Sequence, residues 1–446
     1  MDRAYEMQFV VLYLPLAAAI FAALRPRQKR MFAACLLSLM WTLPALLVLQ
    51  RINMLVGWWS FEAIGPLLLG MPLAVYLGWA ILWGLVPELA FRKLGLPEVI
   101  AIMAAADVWL MPFGEPLVHM HFPAWENGGW LTGEAAALSI VLSPALCLAR
   151  WTLDDRRLNV RAALQVVISG LLFLFLLPEV VFALRPVPNA GSVWAPLLHM
   201  PFVWLQIVVQ IVLLLAVPGV SAVQEFAQRG QGTPIPYDPP KRLVTSGVYR
   251  YCANPMQLFC AVVMLLWALV LRNPWLVLAA LMSAVYSAGI AHWDEERDLA
   301  KRFGEAWRQY RGNVPAWRLR WRPYVDGTPA RIYIARTCGP CSAVRRWIEK
   351  RNPLGLELID AETLPQGSIR RLRYDPADGT PYAEGVVALA RALEHMNLAW
   401  AYCGIMLRLP VLHQVAQLLL DVAGFGPRTI PGVCEMPADS GCRSAI

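Results

Sequence analysis

Apolar residues dominate the chain in nine long runs, at about 8–24, 31–50, 66–91, 97–113, 131–150, 162–184, 194–222, 254–271 and 274–293. Short polar loops separate them. A hydrocarbon core of about 30 Å takes roughly 20 residues of helix to cross, so the pattern predicts about nine membrane-spanning helices. After residue 294 charged residues become frequent and no run is long enough to span. From about residue 327 short strand-like and helix-like patterns alternate, which predicts one small soluble α/β domain. The expected fold is therefore an all-α polytopic membrane protein with a C-terminal soluble domain.

Composition agrees with that pattern. Of 446 residues 58% are hydrophobic, only 16% are charged, and the mean hydropathy is +0.49, too apolar for a soluble globular chain of this length. The first run lacks a small-residue cleavage site and a second run follows at once, so it reads as a retained span. The net charge of +8 is uneven. Arg25, Arg27, Lys29 and Arg30 follow the first run, Arg92 and Lys93 the third, Arg150, Arg156, Arg157 and Arg161 the fifth, and Lys241, Arg242 and Arg250 the seventh. Basic loops stay in the cytoplasm. With nine spans the N-terminus lies outside and everything after residue 294 is cytoplasmic, as expected in a bacterial inner membrane. The basic residues read as topology signals and lipid contacts, with no sign of a nucleic-acid partner.

Three regions follow. Residues 1–193 are spans and short loops of unassigned role, with Glu88, Asp107, Glu134 and Glu179 at or near membrane depth. Acidic residues there are costly and mark interior polar sites or reach water at span ends. Residues 194–325 hold a second pattern. The loop "QRGQGTPIPYDPPKRLVTSGVYRY" is too rich in Gly and Pro for continuous helix. Asn254 then reads as an N-cap and Pro255 as the first helical residue. The free N–H groups of that helix start suit a carboxylate or phosphate. Two apolar helices around "RNP" (272–274) form a hairpin that brings Glu295 and Glu296 back toward Asn254. The second continues into an amphipathic helix whose Leu299, Phe303, Trp307 and Tyr310 share a face, expected to lie on the membrane surface.

The stretch "GTPIPYDPPKRLVTSGVYRYCANPMQLF", followed by "EERDLAKRFGEAWRQYRGNVPAW", resembles the isoprenylcysteine carboxyl methyltransferase-like membrane enzymes and the related phospholipid methyltransferases. Gly247, Tyr249, Arg250, Asn254 and Pro255 match their first block. Glu295, Glu296, Phe303, Gly304, Tyr310, Val314 and Pro315 match the second. Val248, Ala253, Gln257 and Phe259 stand where those relatives carry Pro, Arg, Tyr and Gly. The resemblance implies S-adenosylmethionine as methyl donor and a lipophilic acceptor, a small molecule or a prenylated or lipid one, entering from the bilayer. Tyr249, Arg250, Tyr251, Asn254, Pro255, Gln257, Glu295 and Glu296 are the expected donor-binding residues. The carboxylates suit the donor's ammonium or ribose, Arg250 and the helix start its carboxylate, and the tyrosines its adenine or sulfonium. Methyl transfer needs positioning and exclusion of water more than an acid–base group. Taken singly, the same residues also read as interfacial anchors.

Residues 326–446 open with "RIYIARTCGPCSAVRRWIEKRNPLGLELIDAE". This predicts a strand at 331–335, Cys338 and Cys341 at a helix start, and a strand at 356–360, the opening of a thioredoxin-like fold. A hairpin through "DPADGTPY" and helices near 384–396, 398–407 and 410–422 follow. Cys338 is the expected attacking thiol, stabilised by the helix start and Arg336, with Cys341 resolving and a thiol-disulfide partner implied. A zinc half-site is the competing reading. The region resembles the DCC family of thiol-disulfide oxidoreductase-like proteins, with Ala335 and Arg336 in place of that family's Asp-Gly. Cys434 and Cys442 could pair or relay electrons. The function expected is thus a membrane methyltransferase with an appended redox domain. A membrane-anchored thiol-disulfide oxidoreductase and a non-catalytic membrane scaffold are the alternatives.

Overall fold

The computed structural model describes residues 2–24, 29–188, 190–365 and 369–428. Cys434, Cys442 and the Glu295 side chain lie outside what is described. Two compact units form. The first takes residues 1–210, 226–241 and 263–283, the second 211–225, 242–262 and 284–446.

Among the described residues seven helices are long and apolar enough to cross a membrane: α1 (Arg3–Ala23), α2 (Lys29–Val56), α3 (Leu73–Ala90), α4 (Leu96–Gly114), α5 (Trp130–Leu153), α6 (Leu158–Leu184) and α7 (Phe202–Gln228). The protein is an integral membrane protein, but the expected nine spans are corrected. The last two apolar runs form shorter helices, α8 (Pro255–Val270) and α9 (Pro274–Tyr286). At 1.5 Å per residue α8 rises only about 24 Å, short of the hydrocarbon core. Asn273 caps α9, its side-chain oxygen accepting from Trp275 N at 3.0 Å and Leu276 N at 3.3 Å.

The run at 66–91 is also not one helix. Its first residues make a hairpin of β2 (Leu67–Leu68) and β3 (Met71–Pro72), after β1 (Trp59–Phe61), which pairs antiparallel with β4 (Val118–Met120). Leu69 and Gly70 at the hairpin tip have φ of 51° and 77°, the left-handed pair that a two-residue turn requires. Behind these strands Trp58, Trp59, Tyr76, Trp83, Leu142 and Leu146 form the core of the first unit.

The acidic residues of this unit differ in their partners. Glu179 meets Arg51 at 3.0 Å and accepts from the Trp194 indole at 2.7 Å. Glu88 faces Arg150 at 3.4 Å. Asp107 and Glu134 are both buried. The Pro-rich loop is tied down by charge. Fully buried Arg161 reaches Asp238 at 2.9 Å and Asp155 at 3.2 Å, and Asp155 also takes Arg30 and Lys241, each at 2.7 Å.

In the second unit β5 (Ala330–Ile334) and β6 (Leu356–Asp360) run parallel, joined through α11 (Gly339–Glu349). The strand β7 (Arg373–Asp375) pairs antiparallel with β5 and with β8 (Ala383–Glu384), giving the order β6-β5-β7-β8. Between this sheet and helices α11, α12 (Gly385–Leu393) and α13 (Leu398–Leu407), the core is Ile332, Ile334, Ile348, Tyr374, Ala388 and Leu393. The last helix is α14 (Pro410–Leu420).

Candidate functional site

The loop before α8 is built from buried contacts. Gly247, at φ 61°, opens a tight turn through Arg250, and a Cβ there would strike Glu225. Glu225 itself accepts from Ser246 at 2.9 Å, from Arg391 at 2.5 Å and from Arg408 at 2.6 Å. Residues 251–254 then run alongside 315–320. Ala253 N donates to Pro315 O at 2.9 Å, Asn254 N to Ala316 O at 3.3 Å, and Arg320 N to Tyr251 O at 3.0 Å.

The helix α10 (His292–Asn313) supplies the opposite wall. It breaks at Gly304, whose φ of 55° and ψ of −124° belong to a region that side chains forbid. The break folds the two arms toward each other. Arg311 Nε lies 3.3 Å from Glu296 Oε1, which a straight helix, with the two residues about 22 Å apart, would not allow. Between the arms opens a pocket of 470 Å³ lined by Glu296, Arg297, Ala300, Trp307, Arg308, Arg311 and Gly312. The Arg311 guanidinium stands 5.9 Å from the Trp307 ring centre and donates to Val314 O at 2.7 Å.

The residues expected from sequence take different places. Glu296 lines the pocket. Asn254 O accepts the first helical bond of α8, from Leu258 N at 3.0 Å, with Pro255 the first helical residue. Asn254 Nδ2 and Gln257 Oε1 are buried and have no partner among the described residues. Arg250 is spent on the chain, donating to Tyr324 O at 3.4 Å. Tyr249 is buried and its carbonyl accepts from Tyr310 Oη at 2.9 Å. Tyr251 is 0% exposed and donates to Glu394 O at 3.0 Å, so its ring faces no open cleft. Burial raises the Tyr251 and Tyr310 hydroxyl pKa values and pushes the Cys252 thiol up to about 11. The amphipathic face is corrected as well. Leu299, Phe303, Trp307 and Tyr310 pack on Ala253, Val314 and Tyr324, a protein core where a lipid contact was expected.

Sequence reasoning missed Arg311 and gave Trp307 no site role. Their spacing from Glu296 carries no signal until Gly304 bends the helix.

Residues 194–306 match the phospholipid methyltransferase family. The matched segment takes in Arg250, Asn254, Gln257 and Glu296 and ends within α10, just beyond the bend. No curated protein and no solved structure matches the chain. With the apolar helices, the match supports a methyltransferase built into a membrane.

The expected cysteine pair lies at the start of α11. Cys338 and Cys341 are joined as a disulfide, with Cys338 at the N-cap accepting from Cys341 N at 3.4 Å. Arg336 turns away to Asp360 at 2.8 Å, and Arg428 takes its expected place, donating to Cys338 Sγ at 3.4 Å.

Proposed function

We propose that the protein is an S-adenosylmethionine-dependent methyltransferase that takes its donor from the cytoplasm into the pocket between the arms of α10 and a lipophilic acceptor from the bilayer. The observation that carries this reading is the Glu296–Arg311 pair beside Trp307 in a pocket of 470 Å³, within the usual size of small-molecule sites. The residues suit an amino-acid sulfonium. Glu296 accepts from an ammonium, Arg311 and Arg308 pair with a carboxylate, and the Trp307 ring offers its face to positive sulfur. At the start of α8, outside the pocket lining, buried Asn254 Nδ2 and Gln257 Oε1 leave one donor and one acceptor without a partner among the described residues. When bound, the donor supplies an electrophilic methyl group whose bond to sulfur breaks as the acceptor's lone pair attacks. The chain's part is to orient that group in line and keep water out. The family match over 194–306 supports the same reading. Calorimetric titration of the donor into detergent-purified protein tests it, and absence of binding under several lipid conditions refutes it.

A second reading applies to the C-terminal part. The β5-α11-β6 unit followed by an antiparallel hairpin supports a thioredoxin-like module of the DCC kind, and the disulfide at its helix start supports exchange with a partner dithiol. A partner thiolate would attack one sulfur of the pair, the second partner thiol would release it, and two electrons and two protons would end on Cys338 and Cys341. Cys338→Ser should abolish that exchange and leave donor binding intact. If neither activity survives scrutiny in a well-folded chain, the scaffold reading takes over.

A further inference from the structure

The helix α14 is amphipathic in the wrong direction for a soluble domain. The polar groups at its C-terminal end bond to the protein. Gln417 Oε1 accepts from Val386 N at 2.9 Å, Gln417 Nε2 donates to Asp421 at 2.8 Å, and Arg371 holds Asp421 through both guanidinium nitrogens. Its apolar residues face outward. Val411, Val415, Leu418 and Leu419, with Val422 in the turn just past its end, recur three or four positions apart on one stripe, Val411 70% and Val422 80% exposed. Exposed Phe425 extends the apolar surface three residues beyond Val422.

The neighbouring helix lies against a membrane span. In α13 the Tyr402 hydroxyl donates to Leu214 O at 2.5 Å, and Arg408, just after its end, donates to Ser221 at 3.1 Å. Both acceptors belong to the membrane-spanning α7, where Ile211 and Leu213 are themselves exposed apolar residues. So α13 lies along a span, and α14 leaves it at a bend of 91°. Together α13 and α14 are apolar enough to pass for a broken span or a re-entrant loop.

We infer that α13 and α14 form a membrane-docking arm, with the Val411–Val422 stripe of α14 sunk among lipid acyl chains at the bilayer surface. The C-terminal region is then a membrane-bound module and not the free soluble tail its charge content suggests. Arg428 donates both to Gly424 O, at the end of this arm, and to Cys338 Sγ, so docking holds the disulfide at the membrane surface.

The test uses the full chain in nanodiscs of phosphatidylcholine and phosphatidylglycerol. A benzophenone amino acid replaces Val415, Leu418 or Val422, each exposed, and in a control replaces exposed Lys350 at the end of α11. After photolysis, mass spectrometry should find phospholipid adducts at the three stripe positions, at least tenfold above the Lys350 control. Adducts to a second copy of the chain, or stripe adducts no more frequent than at Lys350, would overturn the inference.

Discussion

Arg311 reaches Glu296 at 3.3 Å only because the helix that carries both is broken at Gly304. The pocket, and with it the proposed donor site, therefore hangs on one glycine. Gly304→Ala should force the backbone out of its present conformation at a cost of about 1–3 kcal/mol. Donor affinity should fall with a smaller loss in thermal stability, read by titration and differential scanning calorimetry. An alanine variant that binds as well as the wild type would mean that the bend does not shape the site.

Charge burial around Glu225 should show up as stability. Arg408 donates to Glu225 at 2.6 Å and pairs with Glu394 at 2.7 Å, and all three are buried. Arg408→Ala removes one arginine from two buried carboxylates that Arg391 also bonds, and removing one partner of such a cluster costs about 3–5 kcal/mol. Urea unfolding in detergent should register it. Because Glu225 also braces Ser246 and Gly247, protection of amides 246–251 in hydrogen exchange should fall as well.

Local pattern made much of this fold legible. The strand Leu356–Asp360 and the helix Leu398–Leu407 fall where periodicity places them, and Cys338 and Pro255 sit at helix starts as their residue types demand. Where apolar residues are interrupted by Gly65, Pro66, Gly70 and Pro72, hydropathy hid a hairpin, since both structures bury the same side chains. The site was only half legible. Glu296 stands in a matched block, but Arg311 joins it through a bend that Phe303-Gly304 does not announce, and Tyr251 finds Glu394 through a contact no local pattern encodes.

Acid should loosen the Pro-rich loop in a defined window. Burial works against ionised Asp155, but hydrogen bonds from Lys241 and Arg30 outweigh it and lower the carboxyl from 3.8 to about 2. The depressed folded value means that its contribution is fully present above about pH 5 and is lost as pH falls through about 2. Asp155→Asn should lower thermal stability at pH 7, and the gap from wild type should close toward pH 2. A gap that does not change with pH would show that Asp155 acts through packing alone.

Thiol chemistry should separate the cysteines. Cys252, pushed up to about 11 by burial and bonded to Ala316 O at 3.0 Å, should resist iodoacetamide at pH 8 in the folded chain. Cys338, once its disulfide is reduced, should be alkylated under the same conditions. Peptide mass spectrometry reads both, and equal labelling of Cys252 and reduced Cys338 would contradict the buried placement of the loop.

The central claim is donor binding between the arms of α10. Calorimetric titration of S-adenosylmethionine into the full chain in detergent should show one site. Glu296→Ala and Arg311→Ala should each weaken it about 10–100-fold, the worth of one charge-assisted hydrogen bond at about 1.5–3 kcal/mol. Wild-type protein that binds the donor no better than either variant would contradict the account.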